Sequence, residues 1–320
     1  MFSVIIPLYN KEVTIAVTLN SVLNQTFKDF EVIIINDGST DDSLYVVNSF
    51  NDPRLYVSSQ ENAGVSQARN NAVLKARYDY LAFLDADDYW APNYLEEIAK
   101  LIKSYPQNHV FTTAYQVITR NRSFSQCERL QEGLIEDFFK TRATNHIMRT
   151  SATVVHKIAL DAVGGFPPGM YGGEDDYTWA KIAIKYKIVF SPKVLATYDN
   201  RNSSYHLRRG KLDTCKESWF DLYEDNNFYR NEFIASKAIS AGIRYAYGAP
   251  QLKSLEIEER TRYTTLAKEK WKYLYILNRI PQPLILLVKK ILPLYKRSKC
   301  WLARGKTMAY VANFYDSGSP

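Results

Sequence analysis

The chain has 320 residues, 46% of them hydrophobic and 23% charged, which excludes a disordered or fibrous protein and leaves room for one large domain or two. A formal net charge of +7 admits nucleic acid, an anionic membrane surface or phosphorylated ligands, and does not choose among them. Cys127, Cys215 and Cys300 are odd in number and lack the paired spacing of zinc or redox motifs, which points to a reducing compartment.

Met1 and Phe2 run straight into a strand-like segment with no basic, apolar leader, so the expected location is the cytoplasm. FSVIIPL is an apolar run of strand length, after which Ile15, Leu19, Val22 and Leu23 recur at helical spacing. FEVIIIND reads as a second strand. A helix over DDSLYVVNSF follows, started through GST, where Ser39 or Thr40 can cap and Asp41 and Asp42 favour the positive helix end. RLYVSS is a third strand, and VSQARNNAVLKARY sets Val65, Ala68 and Ala72 along one helical face. DYLAFLDA is a fourth strand, followed by a helix over NYLEEIAKLIKSY with Pro92 suited to its first turn.

Strands alternating with helices imply crossover connections and a largely parallel sheet covered on both faces, an α/β class. The middle of the chain mixes strand-like runs (HVFTTAYQVIT, SATVVH, KIVFSPKVLATY) with a helix around DDYTWAKIAIKY. From about residue 211 the pattern is helical to the end.

Ligands of such sheets bind beyond the carboxyl ends of the strands. Asp37 closes the second strand there, and Asp85, Asp87 and Asp88 close the fourth, so all four are expected along one edge. Two acids in a loop often do no more than cap the next helix. Three directly behind YLAFL repel one another unless a cation or strong donors compensate. Oxygen ligands with no His or Cys nearby favour a hard ion, Mg2+ or Mn2+, sharing the phosphate oxygens of a substrate such as a nucleoside diphosphate.

SVIIPLYNKE, NQTFKDFEVIIINDGSTDDS, NAGVSQARNNAV and FLDADDYWAPNYLEEI, in this order and spacing, closely resemble the inverting family-2 glycosyltransferases with the GT-A fold, among them bacterial enzymes of polysaccharide assembly. The likeness is dense over the first hundred residues and looser to about residue 205. It implies a GT-A domain over 1–210, with a nucleotide-binding half to about 105 and an acceptor half beyond, and leaves 211–320 as a helical extension.

The resemblance also implies roles. Pro7, Tyr9 and Glu12 would line the nucleoside pocket, Asp37 would accept a hydrogen bond from the uracil ring, and Arg69 would lie near the nucleotide. Asp85 would contact ribose or sugar. Asp87 would bind the metal, with Asp88 assisting either; the division among the three stays open. MYGGEDDYTWAKIAIKY resembles the family's acidic motif with a tryptophan shortly after, which makes Asp175 the candidate base and Glu174 its reserve. The bland reading of that stretch is capping of a helix N-terminus by acids. In DNRNSSYHLRRG, Arg201 or His206 would belong to a loop closing over the donor, although a histidine in a polar loop is more often simply exposed.

The tail segment PLILLVKKILPLYKRSKCWL is basic, apolar and aromatic, yet its apolar run is too short to cross a bilayer. It suits a membrane surface, where a polyprenyl-linked acceptor would lie, and equally a helix packed on the domain or in a homodimer. Its basic residues match no nucleic-acid reading module. The function expected is metal-dependent, inverting transfer of a sugar from a UDP-sugar to a saccharide or lipid-linked saccharide. The competing readings are a metal-dependent nucleotidyltransferase, which would release pyrophosphate, and a non-catalytic nucleotide-sugar-binding protein.

Overall fold

The run FSVIIPL forms β1 (Phe2–Leu8), in which Phe2, Val4, Ile5, Ile6 and Leu8 are wholly buried. A strand sealed on both faces belongs inside a helix-covered sheet. The computed structural model describes residues 1–201, 212–248, 251–281 and 284. Within them, β2 (Phe30–Asp37), β3 (Leu55–Gln60) and β4 (Tyr80–Phe83) alternate with α1 (Ile15–Leu23), α2 (Ser43–Asn48) and α3 (Val65–Lys75). β1 pairs in parallel with β2 and β4, and β2 with β3.

The second half of the sheet is built from β5 (Tyr89–Trp90), β6 (Val110–Ile118), β7 (Ser123–Gln126), β8 (Gly133–Ile135), β9 (Thr153–His156) and β10 (Ile188–Asp199). Helices α4 (Tyr94–Ser104), α5 (Phe138–Arg142), α6 (Lys157–Asp161) and α7 (Glu174–Lys185) lie between them. The strand order is β3-β2-β1-β4-β9-β6-β10-β5, with β7 on β6 and β8 on β10. The parallel pattern therefore holds on one side and at β6–β10, while β9 runs antiparallel to both of its neighbours.

That reversal positions the site. In a parallel strand the rim residues come at the end, whereas in β9 they come just before the start. β4 pairs Tyr80 with His156 and Ala82 with Val154. The same register carried forward sets the 3-10 turn Thr150–Ala152 beside residues 84–86.

One core face joins Val4, Ile6 and Leu8 to Ile15, Leu19 and Val22 of α1 and to Tyr94, Leu95, Ile98 and Leu101 of α4. On the other side, Phe83, Phe166 and Trp179 meet edge to face, with ring centroids 5.2 to 5.7 Å apart. Trp179 thereby anchors α7 against the end of β4. The start of α7 is equally constrained: Gly173 caps it at φ +82°, and a Cβ there would lie 3.1 Å from the Trp219 ring. α2 begins later than the sequence suggests, because Ser39 and Thr40 accept hydrogen bonds from Asn10 instead of capping it.

The chain divides at Ile234/Ala235 into two compact units. The division lies within α8 (Phe228–Gly248). In the second unit the helical pattern is interrupted between α9 (Gln251–Arg260) and α10 (Lys268–Leu277). Gly242 lets them approach: a Cβ on it would stand 3.0 Å from both Ile257 and Leu274. Ser254 Oγ donates to the Asn278 amide oxygen at 2.6 Å, and Asn278 donates to Glu258 at 2.7 Å. No helix among the described residues is long and apolar enough to cross a membrane. The basic tail from Lys289, with Cys300, lies outside the described residues, as does His206.

Candidate active site

β1 lies between β2 and β4, and the registers Leu8 to Asn36 and Ile5 to Phe83 bring Asp37, Pro7 and Asp85 to one rim. The loop after β1 joins the other two. Asn10 and Glu12 bond the turn after β2, where the Glu12 carboxylate accepts from the Asp42 N–H at 2.9 Å. Thr14 and Thr18 donate to the carbonyls of Ala86 and Asp88 after β4.

Arg69 on α3 is the buried centre of the acidic groups. Its side chain is 3% exposed, Nη2 donates to Asp85 Oδ1 at 2.6 Å, and Nη1 lies 3.7 Å from Glu174 Oε1. Burial opposes its charge, and Asp85, Glu174 and Asp175 outweigh burial, so its pKa is raised. The two acidic motifs, some ninety residues apart in sequence, thus flank a single guanidinium. Nε and Nη1 make no hydrogen bond.

The three acids after β4 divide their work. Asp85 holds Arg69. Asp87 is paired with the Lys11 ammonium, both side chains being 17% exposed. Asp88, expected beside Asp87 at a metal, turns inward: it is wholly buried, and its carboxylate accepts from the Ser151 hydroxyl and, at 3.0 Å, from the Asp199 N–H. Burial, then the charges of Asp87 and Asp85, push its pKa well above the usual carboxylate range. Asp88 ties β4 to the 3-10 turn and to β10 and is not placed to ligate an ion at the rim.

Asp175 lies in the first turn of α7, half-buried. Its Oδ2 accepts from Thr150 Oγ1 at 3.0 Å and its Oδ1 from the Asp176 N–H at 2.8 Å. Asp176 is engaged by Arg142. Neither hydrogen bond to Asp175 comes from a cation.

Sequence reasoning missed the residues that join the two motifs. Arg149 stacks on Tyr198 with 3.5 Å to the ring centroid. Burial works against its charge, and Tyr198, Tyr115, Asp175 and Asp88 more than offset this, raising its pKa. Thr150 donates to Asp175, while Ser151 accepts from the Asp85 N–H at 3.2 Å and donates to Asp88. The local signal was faint: Arg149 and Thr150 lie directly before the strand-like run SATVVH, and Ser151 opens it.

The remaining expectations fall as follows. Pro7 is half-buried at the end of β1, and Tyr9 is 45% exposed just beyond. Asp37 is 3% exposed, and its carboxylate accepts from Gln60 at 2.7 Å, from the Ala63 N–H at 2.8 Å and from the Gly64 N–H at 2.9 Å. It organises the start of α3. Arg201 forks onto Asp199 at the end of β10, and no described contact brings its guanidinium to Asp87 or Asp175.

Among the described residues no three His, Cys, Asp or Glu side chains converge on a metal position. A hard divalent ion does not need a protein cage, since Mg2+ is commonly held by one or two carboxylates with waters and substrate phosphates. The part-exposed carboxylate of Asp87, already facing a cationic group, fits that mode of binding.

A model of the family described as Glycosyl transferase family 2 matches residues 3–162, half of the chain. Glycosyltransferase GlyA of Streptococcus pneumoniae serotype 4 is 30% identical over 248 residues, which is 73% of this chain and 34% of that protein. The Escherichia coli UDP-Glc:alpha-D-GlcNAc-diphosphoundecaprenol beta-1,3-glucosyltransferase WfgD is 39% identical over 106 residues, 32% of this chain and 42% of that protein. The chain spans roughly a third of the length of the curated relatives it matches over most of its own. Among solved structures, S. aureus TarS 1-349 in complex with UDP-GlcNAc superposes with a TM-score of 0.58 at 22% identity, covering 85% of this chain and 79% of that one. At that identity the likeness speaks to the fold.

Proposed function

Because the chain belongs to glycosyl transferase family 2, we propose that it moves a sugar from a UDP-sugar to a saccharide or lipid-linked saccharide acceptor in polysaccharide assembly, with inversion at the anomeric carbon. The observation that carries this reading is the buried Arg69, contacted from one side by Asp85 and from the other by Glu174, which holds the acids after β4 and those of α7 at one site. The donor class is supported by relatives whose names or structures contain UDP-Glc, UDP-GlcNAc or UDP. A polyprenyl-linked acceptor would bring the chain to a membrane surface.

In this reading Asp175 takes the proton of the acceptor hydroxyl. Thr150 holds one of its oxygens and the Asp176 N–H the other, so the carboxylate is oriented by neutral donors, while Arg69 and Arg149 act on it through their charge alone. The acceptor oxygen bonds to the anomeric carbon as the bond from that carbon to the diphosphate oxygen breaks, and UDP departs with the electron pair. A single displacement through an oxocarbenium-like state inverts the centre. Mn2+ or Mg2+, held by Asp87, would supply Lewis-acid neutralisation of the leaving diphosphate. Asp85 and Arg69 hold each other fixed beside that position. Pro7 and Tyr9 supply apolar surface at the rim for the nucleoside.

The test is incubation of the full chain with UDP-glucose, UDP-GlcNAc and UDP-galactose, Mn2+ and saccharide-diphospholipid acceptors, following UDP release. UDP should also raise the melting temperature in the presence of Mn2+. If UDP does not bind even with Mn2+, the reading fails. Release of pyrophosphate from a nucleoside triphosphate would point instead to a nucleotidyltransferase.

A further inference from the structure

The proposed metal position already carries a cation, and that cation is built into the fold. Lys11 follows Asn10, a non-glycine residue at φ +50° whose side-chain oxygen accepts from the Thr40 N–H at 2.8 Å. The Lys11 N–H donates to Ser43 Oγ at 2.6 Å, and its carbonyl accepts from the N–H groups of Thr14 at 3.0 Å and Ile15 at 2.9 Å. Its backbone is therefore fixed between the starts of α1 and α2, and its ammonium reaches Asp87. The neighbouring acids are otherwise committed: Asp85 holds Arg69, while Asp88 is buried against Ser151 and Asp199.

We propose that Lys11 is an internal counter-ion that competes with the divalent metal for Asp87 and releases it when the donor diphosphate arrives to receive the ammonium. The inference rests on the glycosyltransferase reading and adds an order to it. An ammonium and a divalent ion cannot occupy one monodentate position together, and a lysine on a four-carbon stem can turn to a phosphate without moving its backbone. Metal alone therefore binds weakly, since it must displace Lys11 with nothing to take the freed charge. With the nucleotide present, the metal gains phosphate ligands and the ammonium gains a partner. By linkage, each ligand then tightens the other by the same factor.

The experiment is a Mn2+ titration of the full-length chain, read by the electron paramagnetic resonance signal of free Mn2+, with and without saturating UDP. Wild type should bind Mn2+ weakly alone and at least tenfold more tightly with UDP. Lys11→Met, which keeps the stem and removes the charge, should bind Mn2+ about two- to fivefold more tightly without UDP, the size expected for losing one part-exposed ion pair. Its gain from UDP should shrink by a similar factor. Lys11→Arg should keep the wild-type pattern. Lys11→Gln provides a second neutral variant if the methionine variant does not fold. Neutral variants that bind Mn2+ no better than wild type without UDP would overturn the counter-ion role while leaving the transferase reading intact. A wild type that binds no Mn2+ even with UDP would overturn both.

Discussion

The ends of β2 and β4 carry the same residue type at the same rim and use it in opposite ways. At β2, Asp37 accepts from one side-chain amide and two backbone N–H groups, all within 2.9 Å, and has almost no exposed surface. At β4, Asp87 meets a single lysine and stays in reach of solvent. A backbone amide cannot leave its acceptor without the loop unfolding, whereas an ammonium can be exchanged for another cation. What separates the two carboxylates is therefore not their position on the rim but the replaceability of their partners.

The contrast is tested hardest at Asp175, grouped with Asp87 because it is only half-buried and neither of its two donors is a cation. Asp175→Asn keeps both hydrogen-bonding positions and removes the base, so kcat should fall by about 10²- to 10⁴-fold. The thermal shift given by UDP and Mn2+ should be retained. Turnover at the parental rate would remove Asp175 from the reaction.

Next in size is the pair Asp37→Ala and Asp87→Ala. The first strands buried donors at the start of α3, and at about 1–3 kcal/mol for each unsatisfied group the loss should reach roughly 3 kcal/mol in urea denaturation. The second removes one part-exposed ion pair, at about 1 kcal/mol or less, but should abolish the Mn2+-dependent stabilisation by UDP. Equal stability losses in the two variants would erase the distinction between the rims.

A smaller effect is expected at Thr150. Thr150→Val deletes the hydroxyl that orients Asp175 and should lower kcat about tenfold, roughly the 1.4 kcal/mol of one hydrogen bond to a charged group, with KM little changed. Thr150→Ser should restore the rate. A valine variant altered only in stability would make the contact structural.

Much of the rim was legible because it is local. β2 is an apolar run ending in Asp37 and β4 one followed at once by Asp85 and Asp87, so the strand pattern placed these acids at strand ends and the helical pattern placed Arg69 on the third helix. Two things were not legible. Arg149, Thr150 and Ser151 reach the site only because β9 is antiparallel, and its pairing with β4, some seventy residues earlier in sequence, leaves no periodic trace. Nor does D-x-D-D say which acid faces inward. That was decided for Asp88 by Ser151 and by the N–H of Asp199, each from a distant segment. Lys11 lies within the motif SVIIPLYNKE, but nothing local to that motif points to its partner Asp87, which lies on another strand's loop.

Asp88 gives the smallest and most specific test, because burial and the charges of Asp87 and Asp85 push its pKa well above the usual carboxylate range. Its raised pKa means that, between the ordinary carboxylate value and the folded value, the folded chain holds a proton that the unfolded chain has released. This stabilisation is complete below the unfolded pKa and is lost as pH rises through the folded one. Asp52 and Asp199, held low by the hydrogen bonds of Arg54 and Arg201, act in the opposite sense and mostly below that window. His156, lowered by burial, loses its contribution as pH falls below the usual histidine range. These terms are common to wild type and Asp88→Asn, so they cancel in the difference between the two. The amide does not titrate. Urea midpoints from pH 5 to pH 8 should therefore show the asparagine variant gaining on wild type as pH rises, and a pH-independent difference would mean that Asp88 is ionised in the fold, and with it that the charge at the end of β4 is not divided as described.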